Sequence, residues 1–248
     1  MDDGRRVFVK VRRTAPADFF AAEARGLATL AAARALRVPD LREFSCQAIA
    51  LEDLGIGQPQ LAQWCDAGRR LAQLHAARAA TFGFPVAGYC GDSPQDNTAC
   101  GDGFAFFGER RLLPQARRAR DAALLEPLVV RRVEVLCMRL RDLLPERPPV
   151  LIHGDLWSGN LHACAGGELA LIDGGAVHHG WAECDLAMLT LFGEPPPPFF
   201  AAYETAAGIG RDWRERAPLL NLYNLLNHLN LFGAGYRGGV VAILERFA

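Results

Sequence analysis

Three oxygen-bearing side chains in the second half of the chain have the types and spacing needed for phosphoryl transfer. Asp155 lies within residues 153–160, which read HGDLWSGN, and Asp173 follows thirteen residues after Asn160. A carboxylate on a tight loop can accept the proton of an attacking hydroxyl group. An amide oxygen and a second carboxylate suit Mg²⁺ held against the phosphates of a nucleotide. The pattern therefore predicts a magnesium-dependent phosphotransfer site.

Short strands are expected to bring these side chains together. Two strands around a turn at residues 166–167 would end at Asp173. Because a hairpin folds its end back beside its beginning, Asp173 should lie next to Asn160. Taken alone, Asp155 could instead be a loop carboxylate that caps a turn.

The first 55 residues predict a small lobe of strands and one helix. Residues 6–12 alternate as a strand does, with three valines on one face and Lys10 on the other. A helix is expected from Asp18, as its cap, to about Leu36, and a hairpin over residues 41–51.

The remaining residues, 56–248, predict a larger and mainly helical lobe. We expect helices over 60–78, 104–120 and 126–144, a loop over 80–103, a strand over 150–152, and helices again after residue 173, interrupted at 195–198. The predicted fold class is α+β, with domains at 1–55 and 56–248.

The composition is that of an ordinary globular protein. Of the 248 residues, 50% are hydrophobic and 22% are charged, which excludes a disordered chain. The 27 Lys and Arg residues balance 28 Asp and Glu residues, so no net field would recruit nucleic acid or an anionic membrane. A group of arginines without interleaved aromatic residues is expected to form a solvated helix face: Arg110, Arg111, Arg117, Arg118 and Arg120.

Cysteine usage and hydropathy predict a cytoplasmic protein. Seven cysteines, an odd number without a C-x-x-C pair, favour reduced thiols. Residues 1–6 are charged and lack the apolar core of a signal peptide. The uncharged window 217–236 contains four asparagines and His228, which are costly in lipid, so a buried helix is expected there rather than a membrane span.

From Val7 to its end, the chain resembles the fructosamine-3-kinase (ketosamine-3-kinase) family, a branch of the aminoglycoside-phosphotransferase-like kinases. The segments that carry the resemblance are residues 7–11, 22–27, 106–112, 153–160, 171–173, 185–188 and 222–233. The resemblance implies a two-lobed protein-kinase-like fold. It also implies ATP-dependent phosphorylation of the third hydroxyl of ketosamines, either free or attached to protein lysines, in a protein-deglycation role.

The same resemblance implies roles for individual residues. Asp155 is similar to the catalytic base of the family, and Asn160 and Asp173 to its metal ligands. Lys10 resembles the lysine that contacts the α- and β-phosphates, and Glu23 resembles the helix residue that pairs with it.

Other residues are expected at the edges of the site. Residues Glu52 to Leu54 resemble the hinge whose backbone meets the adenine. Trp157 would stack on the sugar or anchor its own loop. His228 and the asparagines at 221, 224, 227 and 230 would either line the sugar pocket or brace the structure. Asp185 is expected to accept hydrogen bonds from the catalytic loop rather than to act in the site.

Two departures from the family pattern leave alternatives open. Only nine residues precede Lys10, so the small lobe is expected to be truncated and to lack the glycine-rich loop. The chain could then be a binding module without turnover. After Asp173 the sequence reads GGAVHHG, and His178 and His179, together with His153, raise a metal-dependent hydrolase as a further alternative, although His153 is expected to be structural. Both a monomer and a homodimer remain open.

Overall fold

The structure, a computed structural model, describes residues 6–248, in which a small strand-rich part precedes a larger helical part, as the α+β prediction required. The strands are Val7–Val11 (β1), Leu41–Phe44 (β2), Ala48–Glu52 (β3), Gly88–Cys90 (β4), Ser93–Gln95 (β5), Val150–Ile152 (β6), Leu161–Ala163 (β7), Leu169–Leu171 (β8) and His178–Gly180 (β9). The α-helices are Phe19–Ala32 (α1), Leu61–Leu74 (α2), Gly103–Phe107 (α3), Leu113–Asp121 (α4), Pro127–Met138 (α5), Leu140–Leu143 (α6), Ala182–Met188 (α7), Pro197–Ala207 (α8), Trp213–Leu220 (α9), Leu222–Phe232 (α10) and Arg237–Phe247 (α11). The predicted domain boundary at residue 55 falls in the connector between β3 and α2.

The first sheet has the strand order β1-β3-β2, and its neighbours are antiparallel. Lys10 of β1 pairs with Ile49 of β3, so the two side chains share the face that α1 covers. Ile49 and Phe20 of α1 are buried there in a small core of their own. The valines of β1 lie on the opposite face and are exposed (Val7, Val9 and Val11). The packing of α1 therefore turns Lys10 toward the helix.

Helix α1 begins directly after Asp18, as predicted, but ends earlier than predicted. It ends at Ala32 rather than near Leu36, because Arg34 adopts a left-handed conformation with φ 51° that a helix cannot continue. Asp18 occupies the position before the helix, but its side chain makes no capping hydrogen bond. Its carboxylate instead accepts a hydrogen bond from the Tyr89 hydroxyl at 2.6 Å.

The strand predicted at 150–152 is present as β6, but its partner β9 and both strands of the β4–β5 hairpin were not predicted. The predicted loop at 80–103 contains the β4–β5 hairpin, closed by the two-residue turn Gly91-Asp92. After Asp173, where helix was predicted, β9 instead pairs with β6. Each of these strands has three residues, which is too short to show the alternation that identifies a strand.

The predicted helices at 104–120 and 126–144 are each interrupted. A π-helical turn at residues 108–112 separates α3 from α4, and Arg139 separates α5 from α6. The prediction that Arg111 lies on a solvated face was wrong, since its side chain is buried and donates to the Asp96 carbonyl and to Asn97 Oδ1. A π turn adds a residue to the helical period, so a face assigned from the regular period is displaced.

The remaining general expectations concern membranes and thiols. Among residues 6–248, no helix is both long enough and apolar enough to cross a bilayer. All seven cysteines are free thiols, as predicted. The cytoplasmic location stays a prediction. The expected absence of a glycine-rich loop concerns the start of the chain, where residues 1–5 lie outside the described residues.

Candidate active site

Asp155 lies in the loop that follows β6 and is held there by hydrogen bonds to its backbone carbonyl and amide. The Asp155 carbonyl accepts hydrogen bonds from Asn160 Nδ2 at 2.8 Å and from the Trp157 amide at 3.1 Å. The Asp155 amide donates to His153 Nδ1 at 3.3 Å, and His153 Nε2 lies 2.7 Å from the Ile172 carbonyl oxygen. Both ring nitrogens of this buried histidine are thereby engaged. His153 is structural, as the sequence suggested, and it fixes the loop to the β8 side of the site.

Asp185 of α7 braces the same loop from below. Its buried carboxylate accepts hydrogen bonds from the His153 amide at 2.7 Å and the Gly154 amide at 2.9 Å. His75 Nε2 lies 3.2 Å from it, while His75 Nδ1 meets the Tyr203 hydroxyl at 2.8 Å. Burial opposes ionisation of Asp185, but its hydrogen bonds with His75 and the His153 amide keep its pKa below the ordinary value. The brace predicted for Asp185 is therefore present, and it includes a histidine that the sequence did not single out.

The β7–β8 hairpin brings Asn160 and Asp173 side by side. Leu161 pairs with Leu171 across the two strands, and the Ile172 amide donates to the Asn160 carbonyl at 3.2 Å. Asp173 itself adopts a left-handed conformation, with φ 63° and ψ 70°. That conformation is unfavourable for most residues other than glycine and is concentrated at functional positions. The predicted juxtaposition of residues 160 and 173 is therefore observed.

Lys10 joins the small part of the molecule to this site. Its Nζ lies 2.7 Å from Glu23 Oε1 and 3.0 Å from Asp173 Oδ2. Burial disfavours the charged ammonium, yet Asp173 and Glu23 together raise the pKa of Lys10 above its ordinary value. Burial raises the pKa of Glu23, and Asp173 adds to this rise while Lys10 opposes it. The ammonium therefore stays charged and is shared between two carboxylates.

Asp155 has the electrostatic environment of a general base. The pKa of its carboxyl is raised to about 7, chiefly by burial and also by the charges of Asp173 and Asp185. The Cys90 side chain of β4 acts on this pKa in the opposite direction. A base is most effective when its pKa lies near the working pH. Cys90 was not among the predicted site residues.

Gly26 of α1 sets the distance between the Glu23 helix and the segment after Asp173. A Cβ atom on Gly26 would lie 1.9 Å from the Gly174 carbonyl oxygen, so the two backbones are in direct contact. We expect Gly26→Ala to lower the free energy of unfolding by about 1–3 kcal/mol, as overpacking in a core does. Chemical denaturation measures the change.

A matched control for Gly26→Ala is Gly238→Ala in α11, where a Cβ would meet nothing within 4 Å. This change should leave stability equal or raise it by about 0.5–1 kcal/mol, because alanine favours a helix. Equal stability of the Gly26→Ala variant and the unmodified protein would contradict the close approach.

Trp157 and His228 lie in neighbouring parts of the structure. The Trp157 ring rests on Gly159, and 38% of the residue is exposed. His228 stacks on Phe192 at 4.6 Å between ring centroids, and Ser158 Oγ donates to the Phe192 carbonyl at 3.2 Å. The loop that carries Trp157 is thus tied to the residue on which His228 stacks. Their contact with a sugar stays a prediction.

The asparagines of the α9–α10 region act as braces. Each of their side-chain amides donates a hydrogen bond: Asn221 to the Ala187 carbonyl, Asn224 to Asn221 Oδ1, Asn227 to Cys90 and Asn230 to Gln115. This agrees with the bracing interpretation of the ladder, and through Cys90 it also reaches the neighbourhood of Asp155.

The predicted hinge is partly engaged in other contacts. The Glu52 carboxylate binds Arg37 at 2.7 Å and accepts from the Asp40 amide at 3.3 Å. The Leu54 carbonyl accepts from the Ala165 amide at 2.9 Å. The Glu52 side chain and the Leu54 carbonyl are thus engaged within the protein, and the assignment of Glu52 and Leu54 to adenine binding stays a prediction.

The histidines behind the hydrolase alternative do not converge. His178 is buried with Nδ1 2.8 Å from the Ala176 carbonyl, and burial lowers its pKa to about 3. His153 is engaged on both ring nitrogens. Among residues 6–248, no three His, Cys, Asp or Glu side chains are grouped to hold a metal ion. The geometry gives the hydrolase alternative no support.

Comparison with known proteins gives this site a context. The family model described as Fructosamine kinase matches residues 1–248. The chain is 36% identical over 255 residues to a protein of Synechocystis named as a probable ketoamine kinase, covering 99% of this chain and 84% of that protein. It is 32% identical over 256 residues to the chloroplastic protein-ribulosamine 3-kinase of Arabidopsis thaliana, covering 99% of this chain and 77% of that protein.

A solved structure with a sequence identity close to that of these relatives shares the fold. A crystal structure of a fructosamine-3-kinase candidate from Thermobifida fusca superposes with a TM-score of 0.91 and 38% sequence identity. The match covers 98% of this chain and 85% of that one. The expected two-lobed kinase-like fold is therefore confirmed.

Proposed function

Because the chain belongs to the fructosamine kinase family, we propose that Asp155, Lys10 and Asp173 transfer the γ-phosphoryl group of ATP to a ketosamine. The chain is a ketosamine kinase, a transferase that uses ATP. Each of its charged groups contributes to that reaction in a different way. The binding-module alternative has no support, since the charged groups that a kinase needs are assembled.

Asp155 is the group that handles the proton. Its carboxylate accepts the proton of the sugar hydroxyl as that oxygen bonds to the γ-phosphorus and the bond to the β-phosphate oxygen breaks, releasing ADP. The raised pKa suits this role at neutral pH. The hydrogen bonds to its backbone hold the carboxylate in place before substrate binds, so little reorganisation is needed.

Asn160 and Asp173 are the residues that would hold Mg²⁺. The donor set fits this ion, since both side chains offer oxygen ligands and the Asn160 amide nitrogen is already committed to the Asp155 carbonyl. The orientation of Asn160 therefore leaves its oxygen available. When bound, Mg²⁺ neutralises charge that develops on the phosphates.

Lys10 positions the phosphates, and Glu23 keeps it charged and oriented. This convergence of Lys10, Glu23 and Asp173 within 3.0 Å is the observation that carries the proposal. Three residues from separate elements meet at one ammonium group, which a purely structural ion pair would not require. For the sugar, we assign Trp157 and His228 as walls of the pocket, and the third hydroxyl as the one that is phosphorylated.

A direct assay tests the proposed function. The full chain, incubated with Mg²⁺, ATP and synthetic fructosyl-lysine or ribulosyl-lysine, should release ADP and yield one phosphorylated ketosamine. Phosphorus and carbon NMR of the product should place the phosphate on the third carbon. EDTA should stop the reaction and excess Mg²⁺ should restore it. ADP release that is equal with unmodified lysine would contradict the proposal, and glycated albumin distinguishes protein-bound from free substrates.

A further inference from the structure

A cleft of about 510 Å³ lies between β1, α1 and the β4–β5 hairpin, beside the proposed phosphate site. Lys10, Glu23 and Asp173 line it, together with Arg12 and Asp92. Two cationic side chains therefore face three carboxylates. Because the Lys10 ammonium is already shared between Glu23 and Asp173, a polyphosphate that enters this cleft needs a further positive charge.

The position of Arg12, directly after the last residue of β1, suits that need. Side chains two residues apart in a strand point to the same face, about 6.6–6.8 Å from one another. Phe8 and Lys10 therefore share a face. The Arg12 amide continues the ladder by donating to the Gln47 carbonyl at 2.8 Å, and the Arg12 side chain lines the same cleft as Lys10, so the three residues form a row. The row begins next to the hinge, since Val7 pairs with Glu52, and it ends in the cleft. From the hinge toward the cleft, this row has the same order as the base, the inner phosphates and the terminal phosphate of a nucleotide.

Arg12 is held in a way that permits exchange of its partner. Its guanidinium lies 4.7 Å from the centroid of the Phe19 ring and donates to Asp92 Oδ1 at 2.5 Å. The Asp92 side chain is 59% exposed, and ion pairs at such positions contribute little to stability. Replacing Asp92 by a phosphate oxygen would keep the stacking on Phe19 and cost only a weak surface pair.

We propose that Arg12 is a nucleotide-contacting residue that leaves Asp92 when ATP binds and donates to its terminal phosphate. The planar guanidinium can form two parallel hydrogen bonds with phosphate oxygens, which a lysine cannot. The inference rests on the proposed function, because the kinase activity supplies the polyphosphate ligand. Asp92 acts as a placeholder that orients Arg12 in the free protein.

Calorimetric titration of the full chain with Mg²⁺·ATP and, separately, with AMP tests this assignment. Arg12→Ala should weaken ATP binding roughly tenfold to a hundredfold, the size of a charged hydrogen bond, and leave AMP binding unchanged. Asp92→Asn should leave ATP binding equal or make it tighter, because the competing carboxylate is removed. Arg13→Ala is the matched control, since this neighbouring side chain is exposed and does not line the cleft.

The opposite responses of Arg12→Ala and Asp92→Asn separate a phosphate contact from a structural latch. If both variants weaken ATP and AMP binding alike, the pair only ties the hairpin to β1 and the proposal is overturned. Wild-type ATP affinity in Arg12→Ala would overturn it while leaving the kinase assignment intact, even if the ketosamine KM rose. Failure of the unmodified protein to bind ATP at all would instead remove both this inference and the proposed function.

Discussion

Asp155→Asn is expected to lower kcat for ketosamine phosphorylation by about 10²–10⁴-fold, the range that a positioned general base contributes. The amide keeps the shape of the side chain but cannot accept the proton of the sugar hydroxyl. The backbone hydrogen bonds around Asp155 do not involve its carboxylate, so the loop should keep its conformation. Binding of ATP, measured by calorimetry, should therefore be unchanged.

The stability of Asp155→Asn should move in the opposite direction to its activity. Because the folded-state pKa of Asp155 is raised to about 7, its ionised form is less favourable in the folded than in the unfolded chain at neutral pH. Removing the charge should leave the melting temperature equal or higher. Asp142→Asn, at an exposed position in α6, is the control and should leave both activity and stability unchanged.

The pH profile gives a second readout for Asp155. In the unmodified protein, kcat/KM should fall as the pH drops through the pKa of Asp155. Burial and the charge of Asp173 raise this pKa to about 7, and a divalent cation bound at Asp173 would counter the part due to the Asp173 charge. The residual activity of Asp155→Asn should lack this dependence. Turnover equal to that of the unmodified protein would remove Asp155 from the role of base.

The centre of the site could be predicted from sequence because its parts are local. Asp155, Asn160 and Asp173 lie within nineteen residues, and one short hairpin suffices to bring them together. Lys10 and Glu23 are different, since strand periodicity alone does not tell a functional lysine from a solvated one. Their assignment came from the family resemblance, and the structure then placed Lys10 at 3.0 Å from Asp173.

The contacts that support the site could not be predicted, because they join distant parts of the chain. His75 reaches Asp185 across 110 residues, and Asn227 reaches Cys90 across 137. No local pattern marks either pair. The β4–β5 hairpin did carry a signal, since a Gly-Asp dipeptide is a common two-residue hairpin turn. Its strands were too short to confirm that signal, so the segment that carries Cys90 and Asp92 was predicted as loop.

The contact between Lys10 and Asp173 bears on how nucleotide and Mg²⁺ bind. In the free protein its ammonium neutralises the carboxylate of Asp173, the residue assigned to Mg²⁺. Nucleotide phosphates and Mg²⁺ arriving together would replace this pair by two others, Lys10 with phosphate and Asp173 with the cation. Mg²⁺ cancels part of the negative charge of the nucleotide, so the net charge of the cleft changes less than with the nucleotide alone, which favours binding of the complex over binding of the free nucleotide.

Removal of the Asp185 carboxylate is expected to have the largest effect on stability. In Asp185→Ala the buried His153 amide, the buried His75 ring and the partly buried Gly154 amide lose their common acceptor. Breaking a buried charged interaction by removing one partner costs about 3–5 kcal/mol. Urea denaturation should show a loss of this size. Asp121→Ala, whose side chain is 66% exposed beside Arg120, is the control and should change stability by less than about 0.5 kcal/mol.

Asp185→Asn distinguishes the effect of the Asp185 carboxylate on the Asp155 loop from its effect on folding stability. The amide oxygen of the new asparagine can still accept from the loop amides, whereas its Nδ2 group faces the His75 donor. We therefore expect a smaller loss of stability than in Asp185→Ala but a clear fall in kcat. Because the folded-state pKa of Asp185 is depressed, its contribution is present above the pKa of the unfolded chain and is lost as the pH falls through the folded-state value. The unmodified protein should lose stability in acid more steeply than Asp185→Asn. If Asp185→Ala and Asp185→Asn have the same melting temperature and kcat as the unmodified protein, the loop that presents Asp155 does not depend on the Asp185 carboxylate.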